Sequence, residues 1–229
     1  RKARLGGYGL WKAHIILQRL STLQEGDIVF YLDAGCELNE LVGSRFLDYV
    51  RAAEQSPLGL FTFASSLGPQ GLYTKGDLVE HVRPHFQSSG ELERALMAPQ
   101  HITGMIWVRK CAEAIHFLEV WGAIMGGNGY RMIDDSPSIA RNFTGFKEHR
   151  HDQSVFSMML YASGHRYYVR DESLPQAWQR HLAPIRASRL CGARHYLTAD
   201  PEEWARAGCI EEPGYMPPWA KDMQTAAAV

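Results

Sequence analysis

Two acids far apart in the chain, Asp33 and Asp152, stand where a carboxylate can meet a ligand. Asp33 follows Asp27-Ile28-Val29-Phe30-Tyr31-Leu32 and precedes Ala34-Gly35. The run is short, β-branched and aromatic, and Gly26 and Gly35 bound it. It therefore predicts a core strand of a parallel or mixed sheet. In open α/β sheets the ligand crevice lies beyond the carboxyl ends of such strands. Gly35 lets the backbone turn or approach a ligand closely. The plainer reading is a strand-to-loop turn in which Asp33 bonds its own backbone. This segment alone does not choose between them.

Asp152 lies in His149-Arg150-His151-Asp152-Gln153-Ser154. Two imidazoles, a guanidinium, a carboxylate and a carboxamide in so short a stretch can bind a polyhydroxylated or phosphorylated ligand, or host a base. The plainer reading makes Asp152 the N-cap of the helix that follows. His149 and His151 are spaced for one face of a strand, and metal ligation by them ranks below sugar or phosphate contact. Gln100 precedes a strand with Gly104 inside it. Either a ligand lies across Gly104 while Gln100 donates a hydrogen bond, or the glycine marks a bulge or close packing. Gly6-Gly7-Tyr8-Gly9-Leu10-Trp11-Lys12 resembles a phosphate-cradling turn before a helix, with Lys12 able to meet a phosphate or stay solvated. Asp134 and Asp135 are adjacent loop acids, mostly turn formers and less often partners of an acceptor hydroxyl.

The elements that must position these groups alternate. Helices are predicted over Tyr8–Leu23, Glu40–Gln55, Thr74–His81 (capped by Thr74), Glu91–Met97, Cys111–Met125 and Asp152–Ala162. Strands are predicted over Asp27–Leu32, Leu58–Phe63, Ile102–Val108 and Arg166–Val169, with loops over Ser65–Gly71 and Gly126–Glu148. Such alternation predicts an α/β fold with a mixed, mostly parallel sheet flanked by helices. Residues 1–175 form the expected main domain, and residues 176–229 an extension packing on it.

Bulk properties narrow the partners. The 229 residues are 45% hydrophobic with a net charge of −1, and basic blocks are short. Nucleic acid and strong binding to an anionic membrane are excluded as main partners, while a weak membrane-surface contact is not. No transmembrane segment is expected, and a cytoplasmic, membrane-peripheral location is compatible with the sequence. The four cysteines, Cys36, Cys111, Cys191 and Cys209, lack zinc spacing and read as reduced, with a Cys191–Cys209 disulfide the alternative.

In order along the chain, Gly7-Tyr8-Gly9-Leu10-Trp11-Lys12, Gly26-Asp27-Ile28-Val29-Phe30-Tyr31-Leu32-Asp33-Ala34-Gly35 and His149-Arg150-His151-Asp152-Gln153-Ser154 resemble a group of bacterial GT-A-type glycosyltransferases of capsular and surface polysaccharides. The resemblance spans Gly6 to Tyr168. It implies a GT-A-like fold, a nucleotide-diphospho-sugar donor, and hexose transfer to a hydroxyl of a glycan or lipid-linked acceptor. By resemblance, Lys12 offsets diphosphate charge, Asp33 and Gly35 lie at the donor, and Gln100 and Gly104 line the sugar pocket. Asp152 is the base of an inverting reaction, or with Gln153 stabilises the sugar cation of a retaining one. Asp134, His149 and His151 are acceptor-side or auxiliary groups. Asp33 lies where such enzymes carry an Asp-x-Asp motif for Mn²⁺ or Mg²⁺. Here Ala34 and Gly35 follow, so the second acid is absent and metal dependence stays open. Family members also carry an earlier strand that grips the base. This chain is accordingly expected to be part of a longer protein or to have lost donor binding. The rivals are a non-catalytic carbohydrate-binding or scaffold domain, and a metal-dependent hydrolase built on His149, His151 and Asp134.

Overall fold

A computed structural model describes residues 5–39, 42–165, 169–173 and 183–187. The chain divides into two compact units, Arg1–Asp33 with Leu47–Arg170, and Ala34–Phe46 with Asp171–Val229. The expected division after residue 175 has no interruption at 34–46. Residues 176–182 and 188–229 of the expected extension, with Cys191 and Cys209, lie outside the described residues, as do Arg166 to Tyr168 of the last predicted strand.

The first unit begins with a helical turn, α1 (Leu5–Tyr8), and α2 (Trp11–Ser21). Strand β1 (Ile28–Leu32) leads to Asp33. In the second unit β2 (Cys36–Leu38) pairs antiparallel with β8 (Ile185–Ala187), and Arg45 reaches Glu172 at 2.5 Å. Helix α3 (Gly43–Gln55) carries the chain back into the first unit. There follow β3 (Leu60–Phe61), β4 (Phe63–Pro69), α4 (Gly76–Val82), α5 (Ser89–Met97), β5 (Pro99–His101), β6 (Met105–Arg109), α6 (Ala112–Gly126), α7 (His151–Ala162) and β7 (Val169–Arg170).

The fold is mixed α/β, but the sheets are not mostly parallel. One sheet has the order β1-β6-β3, with β6 antiparallel to both neighbours. Another has the order β5-β4-β7, antiparallel between β4 and β5 and parallel between β4 and β7. The departure has a definite cause. Because β1 and β3 both oppose β6, they run in the same direction, as two strands joined through a helix should. A later strand, β6, has slotted between them. Alternation along the chain reports direction, whereas adjacency is decided by which strand inserts. Among the described residues β1 lies at a sheet edge, half-buried, rather than in the core as its composition predicts.

The register of this sheet sorts its side chains. Phe30, Trp107 and Phe61 lie in one row across the three strands. Phe30 stacks on Trp107 at 4.3 Å between ring centroids, and Tyr49 of α3 meets Phe61, Phe63 and Trp107. Tyr31, Ile106, Val108 and Leu60 alternate to the opposite face. They join Ala13, Ile16 and Leu20 of α2 and Ala114, Phe117, Leu118 and Trp121 of α6 in the main core. Helix α2 presents that apolar stripe at helical spacing. This burial seats the first turn of α2, and with it Lys12, against the end of β1.

Smaller predictions change as well. Ser65 to Pro69 continues β4 instead of forming a loop, and Lys75 rather than Thr74 precedes α4. Gly104 stands between β5 and β6, not inside a strand, and Gln100 belongs to β5. Among the described residues no helix is long and apolar enough to cross a membrane.

Candidate functional site

The end of β1, the first turn of α2 and the first turn of α7 meet at one ammonium group. Lys12 Nζ lies 2.9 Å from Asp152 Oδ2 and 3.4 Å from Asp33 Oδ1. It also donates to the Thr103 carbonyl at 3.1 Å and to Thr103 Oγ1 at 3.5 Å. Thr103 Oγ1 in turn donates to Asp152 Oδ2 at 2.7 Å, and the Tyr31 hydroxyl donates to Asp33 Oδ1 at 2.6 Å. Among the described residues, two carboxylates face one ammonium in this cluster. The side chains of Lys12 and Asp152 are 7% and 4% exposed, and that of Asp33 is 14% exposed. Asp33 is therefore the carboxylate more open to a ligand. Lys12 is not solvated, and its charge goes to protein carboxylates, which leaves none in surplus for a diphosphate.

Local backbone explains how the acids come so close. The Asp33 amide donates to the Gly104 carbonyl at 2.8 Å, extending the β1–β6 ladder by one step. A Cβ on Gly104 would lie 3.1 Å from Asp33 Oδ2, so this glycine makes room for a carboxylate of the chain itself. Asp152 does not cap its helix. It sits one residue inside α7, whose preceding residue is Arg150, and its side chain turns to Lys12 and Thr103. The carboxylate still lies at the electropositive end of the helix. Trp121 of α6 anchors the turn by donating to the Asp152 carbonyl at 3.1 Å.

Gly9 faces Asp152 with φ +77°, and a Cβ there would lie 2.6 Å from Asp152 Cγ. Gly9→Ala therefore combines a left-handed backbone with a collision. It is expected to cost about 1–3 kcal/mol, read as a shifted denaturation midpoint. A Gly9→Ala midpoint equal to that of the wild type would contradict this packing. Tyr8 (φ +59°) and His151 (φ +51°) precede Gly9 and Asp152, and both adopt the left-handed conformation uncommon for such residues. Their rings pack at 4.6 Å between centroids. Two unusual backbone turns thus support each other beside the carboxylate they deliver.

The other predicted residues are placed differently. Gln100 is buried, and its Nε2 donates to Ser154 Oγ at 3.1 Å and to the Tyr73 carbonyl at 3.3 Å. Gln153 Nε2 donates to Gln100 Oε1 at 2.8 Å. This amide pair knits β5 to α7, so the hydrogen bonds expected to reach a sugar are made within the protein. Gly35 belongs to the second unit.

Asp134, His149 and His151 hold the segment before α7. Lys75, buried, donates from Nζ to Asp134 Oδ1 at 3.0 Å and to the carbonyls of Arg131 and Ser136 at 2.7 and 3.2 Å. Asp134 also accepts from Ser136. Burial works to raise the pKa of Asp134, but Ser136 and Lys75 outweigh it and the net shift is downward. The Lys75 amide donates to His149 Nδ1 at 3.3 Å, which leaves the proton on Nε2, facing the Met132 carbonyl at 2.9 Å. Burial pushes the pKa of His149 down to about 3, and the nearby His151 and Lys75 add to that. His149 is thus a neutral structural clamp. His151 Nδ1 faces the Ile133 carbonyl at 2.7 Å, and its Nε2 lies 3.7 Å from Asp135 Oδ1. The three groups do not converge on a metal, which removes the basis for the hydrolase reading. Among the described residues no group of three or more His, Cys, Asp or Glu is arranged to hold a metal ion.

Sequence reading missed Thr103 and Lys75 as positioning residues. Asp77 accepts from the amides of Ile139 and Ala140 and pairs with Arg131. The only local signal was the charged spacing Lys75-Gly76-Asp77 before an apolar helix. Thr103 gave none, because a lone threonine in a turn carries no pattern.

No protein-family model, no curated protein and no solved structure matches this chain.

Proposed function

We propose that this chain is a GT-A-like glycosyltransferase domain that moves a hexose from a nucleotide-diphospho-sugar to a hydroxyl of a glycan or lipid-linked acceptor. One observation carries the reading. The three segments whose order resembles such enzymes deliver Lys12, Asp33 and Asp152 to a single charged cluster. Acids from the ends of separate elements, gathered beside a cation in a largely dry site, suit transfer at an anomeric carbon, where positive charge develops.

The chemistry follows from the charges. The bond from the anomeric carbon to the diphosphate oxygen breaks, and the acceptor oxygen bonds to that carbon and loses its proton. Positive charge develops on the sugar in the transition state. The carboxylates of Asp33 and Asp152 favour that charge. The sugar therefore faces Asp33 and Asp152. Asp33, the more open acid, accepts hydrogen bonds from the sugar. Asp152, oriented by Lys12 and Thr103, serves as base in an inverting reaction or as cation stabiliser in a retaining one. A cytoplasmic site of action, with a lipid-linked acceptor presented at the membrane surface, belongs to the same proposal.

The rival, a non-catalytic carbohydrate-binding or scaffold domain, has the internal Gln100–Gln153 pair in its favour. Release of nucleotide diphosphate from UDP- and GDP-hexoses, measured across an acceptor panel, decides. Asp33→Asn and Asp152→Asn should each lower turnover about 10²-fold or more, with the fold retained by circular dichroism. Full turnover in Asp152→Asn would remove its assigned role, and no turnover by the wild type with any pair would favour the rival.

A further inference from the structure

We infer that Lys12 is the resident cation of this site, an ammonium in an oxygen cage, and that the protein takes no divalent ion there. Four oxygens surround Nζ: Asp152 Oδ2 at 2.9 Å, the Thr103 carbonyl at 3.1 Å, Asp33 Oδ1 at 3.4 Å and Thr103 Oγ1 at 3.5 Å. Two carboxylates, a carbonyl and a hydroxyl form the donor set that a hard divalent ion prefers. The shorter contacts have the length of ammonium hydrogen bonds. Mg²⁺ binds its oxygens at about 2.0–2.1 Å and Ca²⁺ at about 2.3–2.6 Å. A cage spread around nitrogen would have to contract and expel Lys12 to accept either.

The lysine is not a chance neighbour. Its side chain is 7% exposed, and α2 is fixed by Ala13, Ile16 and Leu20 in the core. Its ammonium has three protons, and the oxygens of Asp152, Asp33 and Thr103 stand around it to accept them. The missing second acid belongs to the same design. Ala34 follows Asp33 where a metal-binding Asp-x-Asp pair would continue. The carboxylate that meets Asp33 instead comes from Asp152 and already shares the lysine. A covalently attached monovalent charge thus does the orienting work of a metal at a fixed position.

The corollary for donor binding rests on the glycosyl-transfer reading: nucleotide binding is independent of Mn²⁺ and Mg²⁺. The cage itself is tested apart from that reading, on the purified full chain. Mn²⁺ is titrated against thermal unfolding of the wild type and of Lys12→Ala. The wild type should show no saturable shift. Lys12→Ala, with its acids left facing one another, should be stabilised saturably, by roughly 5 °C or more at about 100 times its Kd. Adding Asp33→Asn to Lys12→Ala should abolish that gain. If Lys12→Ala does not fold in metal-free buffer, refolding yield with and without Mn²⁺ replaces the melting temperature. Equal shifts in wild type and Lys12→Ala, zero included, overturn the cage. So does saturable Mn²⁺ binding by the wild type that Asp33→Asn removes.

UDP and GDP binding is then compared in EDTA and in Mn²⁺. Affinities equal within about twofold support the inference, and a gain of about tenfold or more in Mn²⁺, equivalent to 1.4 kcal/mol, overturns it. Failure of both nucleotides to bind under either condition counts against the glycosyltransferase, while the Mn²⁺ titration still decides the cage.

Discussion

Lys12→Met will destabilise the protein by about 3–5 kcal/mol. The substitution keeps most of the side-chain volume and removes the charge. It leaves Asp33 and Asp152 facing each other across a site where neither is more than 14% exposed. The cost is chiefly that of poorly solvated carboxylates deprived of the Lys12 ammonium, rather than of lost packing. A second change should return much of it. Asp152→Asn in the Lys12→Met background removes one of the repelling charges and keeps the side-chain shape. The double variant is expected to be more stable than Lys12→Met alone. A double-mutant cycle by urea denaturation isolates this coupling, expected in the range of about 1–3 kcal/mol. If Lys12→Met unfolds within about 1 kcal/mol of the wild type, the ion cluster contributes little, and the close approach of the acids has another cause.

Mild acid will unfold this protein earlier than its carboxylates alone require. His149 has a folded pKa of about 3 against an ordinary 6.5, chiefly because it is buried. Burial also holds the pKa of His101 well below 6.5, with the charge of His165 in the same direction. Among the described residues neither ring nitrogen of His101 has a hydrogen-bond partner to support its charged form. Both groups stay neutral in the folded chain and protonate near 6.5 in the unfolded one. Their contribution is therefore fully present above about pH 6.5 and is lost as pH falls toward the folded values. Each group weakens the fold by up to about 1.4 kcal/mol per pH unit in that window.

Denaturant unfolding below about pH 6.5 should show a slope approaching twice that figure for as long as both groups stay neutral in the folded chain. It should flatten above pH 7 as far as these two groups are concerned. His149→Gln should remove about half of the slope while lowering stability at neutral pH through the lost clamp to Met132 and Lys75. Asp77 and Asp134 act lower on the scale. Their folded pKa values lie below 3.8, so their contribution is full above that value and is lost beneath it. A stability flat from pH 7 to pH 5 would show that the two imidazoles are hydrated or charged in the folded protein.

The sequence by itself determined the pieces that local chemistry can specify. The apolar run before Asp33 and the amphipathic stripe of α2 had to form their elements, because strand and helix periodicities dictate which residues can share a buried face. Likewise the apolar stretch after Asp152 had to be a helix. The two acids were legible as candidates because each ends or begins such an element. Tertiary structure decided everything that depends on partners distant along the chain. Lys12 could have stayed in water. It is buried because α2 and α7 both pack on α6, which brings groups 140 positions apart to within 2.9 Å. Gly104 looked like a place for a ligand and proved to be the space that Asp33 occupies. Gln100 and Gln153 looked like sugar contacts and bond to each other, because a buried amide must find partners wherever packing supplies them. The insertion of β6 between β1 and β3 made this sheet antiparallel where a mixed, mostly parallel one was expected. Ladder hydrogen bonds are available to any strand of suitable length. The choice among strands is made by the packing of Phe30, Trp107 and Phe61 on one face and the α2–α6 core on the other, and no local stretch of sequence contains that choice.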